Sequence, residues 1–246
     1  MFPFDNDPLG QALLDYHNGD HSVQVTVRSD IAEEDVLQVS YLFRSFSQLP
    51  EREVKALELC RGRVLDVGAG AGAHTLLLQE RGFEVLAVDV SAGAGEVMKA
   101  RGVRSVRQVN VFGLQEGPFD TILMLMNGIG IVGDLVGLDR FLEQAKQLLS
   151  PQGQIIVESS DILFLYEEED GSVLLDLNAP YYGEMEYQME YRGIEGIAFK
   201  WLFVDFQTLQ DHAQTCGYGC EYVIEEEQGH FIARLSLNDT LSKEEI

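Results

Sequence analysis

The apolar positions of the chain change period several times along its length. Through the first 32 residues they show no helical repeat; Asp15 to His21 reads as a turn, and Val23, Val25 and Val27 alternate as a short strand does. From Glu33 the period lengthens. Val36, Val39, Phe43 and Phe46 return at steps of three and four, which predicts a helix with one apolar face. Pro50 opens a second helix, with Glu51 and Glu53 in its first turn, where acidic groups complement the helix dipole, and Gly62 beyond its end.

After Arg63 a different rhythm takes over. Apolar runs at 63–67, 83–89, 106–111, 119–126 and 154–158 alternate with helical stretches at 73–81, 94–101 and 139–150. Gly82 and Gly102 stop the first two of these helices, and 151–153 turns the chain into the last strand. Strand and helix alternating at this spacing predict a parallel sheet with helices on both faces. Runs as uniformly apolar as 121–126 suit strands covered on both sides.

The last third shifts to period two. Glu184, Glu186, Gln188 and Glu190 alternate with Met185, Tyr187, Met189 and Tyr191, predicting an antiparallel strand with one wet face. Gly193 and Gly196 turn it back into a second strand at 198–204. Asp205 caps a helix over 206–215, Gly217 ends it, and 218–224 and 230–235 are two more strands. Glu167 to Asp170 is an acidic run expected in a solvated loop, and the polar tail beyond Asn238 is expected to fray. The predicted organisation is an N-terminal helical cap over 1–62 and an α/β domain over 63–246 with a hairpin insertion near 181–204.

Charge narrows the function classes. With 41 acidic against 17 basic residues the formal net charge is -24, and Arg101, Arg104 and Arg107 form no cluster, which disfavours nucleic acid as a partner. The acidity serves solubility, or steers a cationic or amine-bearing substrate. The 3 cysteines, Cys60, Cys216 and Cys220, fit no disulfide framework and no zinc spacing, so reduced thiols, no metal and a cytoplasmic location are expected. Met1 to Asp5 lacks a basic, apolar leader, and the apolar run 122–132 is too short for a membrane span, which takes about 20 residues.

The candidate chemistry sits where the first predicted strand, Val64 to Val67, runs into Gly68, Ala69, Gly70, Ala71 and Gly72. Glycines here let the chain turn sharply and let a ligand approach the main chain, and the helix after them aims free N–H groups at the crevice. Asp89 ends the second strand, where a carboxylate can accept from both hydroxyls of a ribose. Gly68, Gly70 and Ala73 also satisfy the dinucleotide fingerprint. Asp66, two residues before the first glycine, argues otherwise: an anion there repels a pyrophosphate and suits a ligand bearing an ammonium and a sulfonium. Its alternative role is to hydrogen-bond the turn.

Together these segments resemble the motifs of the class I S-adenosylmethionine-dependent methyltransferases. The stretch 64–72 is similar to their first motif and Val85 to Asp89 to the second, acidic one. Residues 119–123 resemble the fourth strand, 148–154 the helix, turn and strand after it, and 206–218 the late helix before an antiparallel strand pair. The resemblance implies a Rossmann-like fold, with a mostly parallel central sheet, helices on both faces and an antiparallel C-terminal pair. It implies S-adenosylmethionine as cofactor. Asp66, Gly68, Ala69, Gly70 and Gly72 would hold its amino-acid end, Asp89 the ribose, and Val90, Asn110 and Val111 the adenine; Met126 and Asn127 would lie near the sulfonium. Asn110 stands where the family often has an acid. Met126 to Gly130 lacks the Asn/Asp-Pro-Pro-Tyr/Phe signature of enzymes that methylate nucleobases or glutamine, which disfavours those substrates, and a small-molecule acceptor is expected.

The acceptor side is less legible. Tyr16, His17 and His21 are the candidates for a base, against the reading that they form a surface loop. Arg44 can reach the cofactor carboxylate or serve as a surface or capping residue. His74 reads as an exposed helix residue. Tyr181, Tyr182, Met185, Tyr187, Met189 and Trp201 line an acceptor pocket or simply pack a hairpin. The rival functions are a non-catalytic S-adenosylmethionine-binding protein and an NAD(P)-binding oxidoreductase.

Overall fold

The computed structural model describes residues 6–168, 170–175, 178–226 and 229–238. Met1 to Asp5, Glu169 of the acidic run and the tail beyond Asn238 lie outside the described residues. Two sheets organise the chain. The larger has seven strands: β3 (Arg63–Val67), β4 (Glu84–Asp89), β5 (Val106–Gln108), β6 (Phe119–Met124), β7 (Leu149–Ser160), β11 (Tyr218–Glu225) and β12 (His230–Leu237), in the order β11-β12-β7-β6-β3-β4-β5. β3 to β7 pair in parallel; β12 returns antiparallel to β7 and β11 antiparallel to β12. The chain leaves β3 toward β4 on one side and later reaches β6 on the other. That reversal of strand order opens a crevice at the carboxyl ends of the strands.

Apolar residues on both strand faces hold helices to both sides. Leu65, Leu86, Ile122, Ile155 and Phe231 pack with α5 (Leu135–Leu148) and α6 (Phe206–Thr215); Val64, Val85, Leu123, Ile156 and Ile232 pack with α2 (Glu51–Leu59) and α3 (Ala73–Glu80). α5 begins at Leu135, ahead of the expected 139, because Asp134 caps it through Gly137 N at 2.7 Å. α6 begins where expected, with Asp205 accepting from Thr208 N at 3.0 Å.

The second sheet runs β10 (Phe199–Leu202), β8 (Glu184–Tyr191), β1 (Gln24–Ser29) and β2 (Asp35–Gln38), with the short β9 (Ile194–Glu195) also on β8. All its pairs are antiparallel. The N-terminal segment and the insertion thus build one sheet between them, Thr26 opposite Glu190.

Four local expectations are corrected. The helix expected from Glu33 does not form: Asp35–Gln38 pairs with β1, and 3-10 turns follow at Val39–Phe43 and Phe46–Gln48. Val36 and Phe46, members of the supposed apolar face, are 43% and 45% exposed. A helix does form where none was expected, α1 (Pro8–His17), capped by Asp7 through Gly10 N at 2.9 Å and burying Ala12 and Leu13. The third strand stops at Gln108, because Asn110 caps a 3-10 turn over Val111–Gly113. β7 instead extends, running from Leu149 through the stretch read as a turn. α4 (Ala92–Ala100) follows β4 and packs against α1.

Candidate functional site

The glycine turn joins β3 to α3. Gly68, Gly70 and Gly72 have φ of 72°, 54° and 78°, the left-handed region that side chains resist. Gly68 N and Ala69 N bond Val88 O at 2.9 and 3.2 Å, tying the turn to the end of β4. Gly70 N donates to Asp89 Oδ2 at 2.9 Å, and Ser91 N donates to Asp89 Oδ1 at 2.9 Å. The half-buried Asp89 is therefore oriented by main chain on either side and keeps lone pairs for a ligand. Burial pushes its carboxyl above the usual range, against those two amides.

Asp66 lies beneath this turn, 2% exposed, and accepts from the Thr75 hydroxyl at 2.5 Å. Burial raises its carboxyl too, opposed by His74 and Thr75. His74 is buried, not exposed as a helix-surface residue would be. Its Nε2 lies 2.5 Å from Glu53 Oε2, and Glu53 in turn takes both its bonds to Arg44 from Nη2, at 2.8 and 3.0 Å. Burial works against the charge on Glu53, but His74 and Arg44 outweigh it and hold the carboxyl below its ordinary value. Burial likewise opposes the charge on His74, and Glu53 and Asp66 outweigh it and raise the imidazole.

Arg44 links Tyr41 to Glu53. Its guanidinium stacks on the Tyr41 ring at 3.6 Å and bonds Tyr41 O through Nε at 2.7 Å. Through Glu53 it reaches the first turn of α3. Arg44 Nη1 is buried and has no hydrogen-bond partner among the described residues. An orphaned cationic N–H on a guanidinium tied through Glu53 to the first turn of α3 fits an anionic group such as an amino-acid carboxylate.

The remaining crevice residues follow the strand ends. Val90 comes directly after β4, and its carbonyl accepts from Gln108 Nε2 at 3.2 Å. Val111 is buried, while Asn110 is exposed and spends its side-chain oxygen on Phe112 N at 3.0 Å. Met126 and Asn127, just past β6, have φ of 59° and 52°.

Beside them opens a cavity of about 510 Å³. The second sheet walls it with Val27, Asp35, Leu37, Tyr187 and Trp201, and Glu33, Tyr41, Phe203, Met126 and Asn127 complete most of the lining. Among the described residues no Lys, Arg or His lines it. Gly130 lets the Trp201 indole lie against the turn after β6; a methyl group there would run into the ring. Of the residues expected at an acceptor pocket, Tyr187 and Trp201 are here. Tyr181 and Tyr182 bond Asp205 and Asp161 instead, at 2.6 and 2.8 Å, and Met185 is buried within the sheet. Tyr16 packs with Phe43 and Ala71 on the glycine-turn side, His21 lies edge-on to it at 4.9 Å, and His17 is exposed at the end of α1. None of these three lines the cavity.

A doubly wound sheet, a glycine turn at its switch point and an acid closing the next strand define a protein that binds an adenosine-type ligand. Comparison gives the family. The family described as Methyltransferase domain matches residues 39–199, and the chain belongs to the class I S-adenosylmethionine-dependent methyltransferases. It is similar over 96% of its length, at 44% identity and a TM-score of 0.90, to 97% of an S-adenosylmethionine-dependent methyltransferase from Bacteroides fragilis solved with S-adenosyl-L-homocysteine. The CcbJ methyltransferase of Streptomyces caelestis (15% identity, TM-score 0.59, 78% of this chain and 95% of that one) shares the fold. So does DesVI of Streptomyces venezuelae (15%, TM-score 0.53, 81% and 96%). A search of curated proteins gives no match. Among the described residues no helix is long and apolar enough to cross a membrane.

Proposed function

We propose that the chain transfers the methyl group of S-adenosylmethionine to a small amine-bearing acceptor held in the cavity beside Met126 and Asn127. The observation that carries this reading is the place of that cavity. It ends at the carboxyl end of β6, the strand paired with β3, whose carboxyl end carries the glycine turn.

On the cofactor side, the main chain of Gly68, Ala69, Gly70 and Gly72 cradles the amino-acid end, with Asp66 supplying negative charge from beneath and Arg44 Nη1 meeting the carboxylate. Asp89 accepts from the ribose hydroxyls. Val90, Asn110 and Val111 frame the adenine, and Met126 and Asn127 stand at the junction with the acceptor. The bound cofactor supplies an activated methyl group on a sulfonium, and displacement at that carbon needs an aligned, desolvated nucleophile more than a dedicated catalyst.

The lining supports an amine. Glu33 and Asp35 bring carboxylates and Tyr41, Tyr187, Trp201 and Phe203 bring rings, a combination that attracts a cation and repels an anionic acceptor. Asp35 or Glu33 takes the proton of an ammonium before its lone pair attacks. Tyr16, His17 and His21 have no part in this reading, because they lie off the cavity lining.

Titration calorimetry tests the cofactor half. S-adenosylhomocysteine should bind, and Asp89→Asn should weaken it by about tenfold to a hundredfold, the worth of charged hydrogen bonds. Binding of NAD in place of both adenosyl ligands would sink it. Adenosylhomocysteine release in a screen of matched amines, phenols and carboxylates tests the acceptor half. Turnover of carboxylates in preference to amines would refute it.

A further inference from the structure

Behind the cavity wall, His230, Ser160 and Asn127 form a chain of hydrogen bonds. Ser160 Oγ lies 2.7 Å from Asn127 Oδ1 and 2.6 Å from His230 Nδ1. The pairing of β7 with β12 sets His230 directly opposite Ser160, so strand register brings the two together. Ser160 is buried.

Proton counting gives this chain a direction. A serine hydroxyl has a single proton to donate. Asn127 Oδ1 only accepts, so Ser160 gives its proton there, and His230 must donate to Ser160 from Nδ1. Asn127 Oδ1 is thereby turned to Ser160, and Nδ2 with its donor hydrogens is the end of the amide left to the cavity that Asn127 lines. If His230 carried its proton on Nε2, the order would reverse: Ser160 would donate to the ring, accept from Asn127 Nδ2, and leave Oδ1 facing the cavity. The two arrangements share heavy-atom positions and offer opposite hydrogen-bonding groups to the acceptor. Burial and then the Arg52 guanidinium hold His230 below its ordinary value, with Glu158 and Glu226 opposing. The ring is therefore neutral near pH 7 and has one N–H to place.

The wall that bears Asn127 is fixed as well. Met126 N donates to Glu158 Oε2 at 2.8 Å, and the other oxygen of that buried carboxylate accepts from Arg52 Nε at 2.9 Å. Gly130 N donates to Asn127 O at 2.9 Å. With backbone and amide both held from behind, Asn127 presents a pre-set donor.

That donor cannot serve the attacking nitrogen, whose lone pair has to stay free for in-line displacement. It needs a second atom on the acceptor. We infer that His230 and Ser160 are positioning residues that fix Asn127 as a hydrogen-bond donor, and that the acceptor is an amine with a hydrogen-bond-accepting oxygen (hydroxyl, ether or carbonyl) close to its nitrogen. This rests on the methyl-transfer reading above.

The tautomer is read from long-range proton–nitrogen correlation spectra of the ¹⁵N-labelled full chain with S-adenosylhomocysteine, using His230→Gln to assign the ring. A proton on Nδ1 is expected; a proton on Nε2 overturns the inference. In turnover, trans-2-aminocyclohexanol is compared with cyclohexylamine. The wild type should favour the amino alcohol by about threefold to tenfold in kcat/KM, the worth of one hydrogen bond. Ser160→Ala should erase that preference and Ser160→Thr restore it, with S-adenosylhomocysteine affinity unchanged in both. Equal preference in wild type and Ser160→Ala, or turnover of neither amine, overturns it. A failure of the cofactor reading would show separately, as no calorimetric binding of S-adenosylhomocysteine.

Discussion

Arg44, Glu53 and His74 are three ionisable side chains that water hardly reaches, and their energetics depend on being complete. Removing one member of such a set leaves the others charged and unpaired in a poorly solvating interior, at a cost of about 3–5 kcal/mol. Glu53→Gln is therefore expected to lower unfolding free energy by that order in urea denaturation, although Glu53 touches no ligand in the proposed site. His74→Gln keeps a donor toward Glu53 and should cost less. Sequence reading left Arg44 open between reaching the cofactor carboxylate and a surface or capping role, and placed His74 on a helix surface; in the structure both are buried against Glu53. Both judgements drew on spacing alone. His74 is instead buried against Glu53 of α2, a contact between segments that no local pattern encodes. Asp66 is a related case: its two possible roles, charge toward a ligand and support of the turn, are indistinguishable in sequence, and in the structure its carboxylate accepts from the Thr75 hydroxyl of α3.

At the level of elements, α1 and α4 meet through glycines. A methyl group on Gly93 would collide with the Gly10 backbone, and Asp7 joins the two helix starts by accepting from Gly10 N, Ser91 Oγ and Gly93 N. Gly93→Ala should force the helices apart and cost about 1–3 kcal/mol, measured by urea denaturation. Gly130→Ala acts elsewhere: it should displace Trp201 and reduce acceptor turnover while calorimetry finds S-adenosylhomocysteine binding unchanged. The parallel strands and their helices were legible because each obeys a local period and a local stop signal. α1 carried a signal as well, Asp7 before Pro8 and Leu9, Ala12, Leu13 and Tyr16 at helical steps, but it is short and contains Gly10. The segment after Glu33 misled because a few apolar residues at three- and four-residue steps fit a helix on paper. Val36 and Leu37 instead pair with Thr26 and Val25 of β1, earlier in the chain.

Across the whole molecule, titration ties stability to pH with a definite sign. The folded-state value of Glu53 is lowered from 4.5, so its contribution is present above that value and is lost as pH falls through the folded one. The folded-state value of His74 is raised from 6.5, so its contribution is complete below 6.5 and disappears as pH rises through the folded one. The cluster therefore supports the fold most strongly between 4.5 and 6.5. The stability gap between wild type and His74→Gln should be widest between 4.5 and 6.5 and narrow as pH rises above 6.5 through the folded-state value of His74. A gap that widened with rising pH would contradict the assignment.

The sheet shared by β1, β2, β8 and β10 also sets terms for redesign. Its strands come from segments separated by the entire cofactor half of the chain, yet they face one cavity. On the proposed reading, acceptor preference is thus not the property of any contiguous stretch. Moving it to another scaffold would require residues 24–38 and 184–202 to travel together, because either piece alone would arrive with an unpaired strand edge and half a wall.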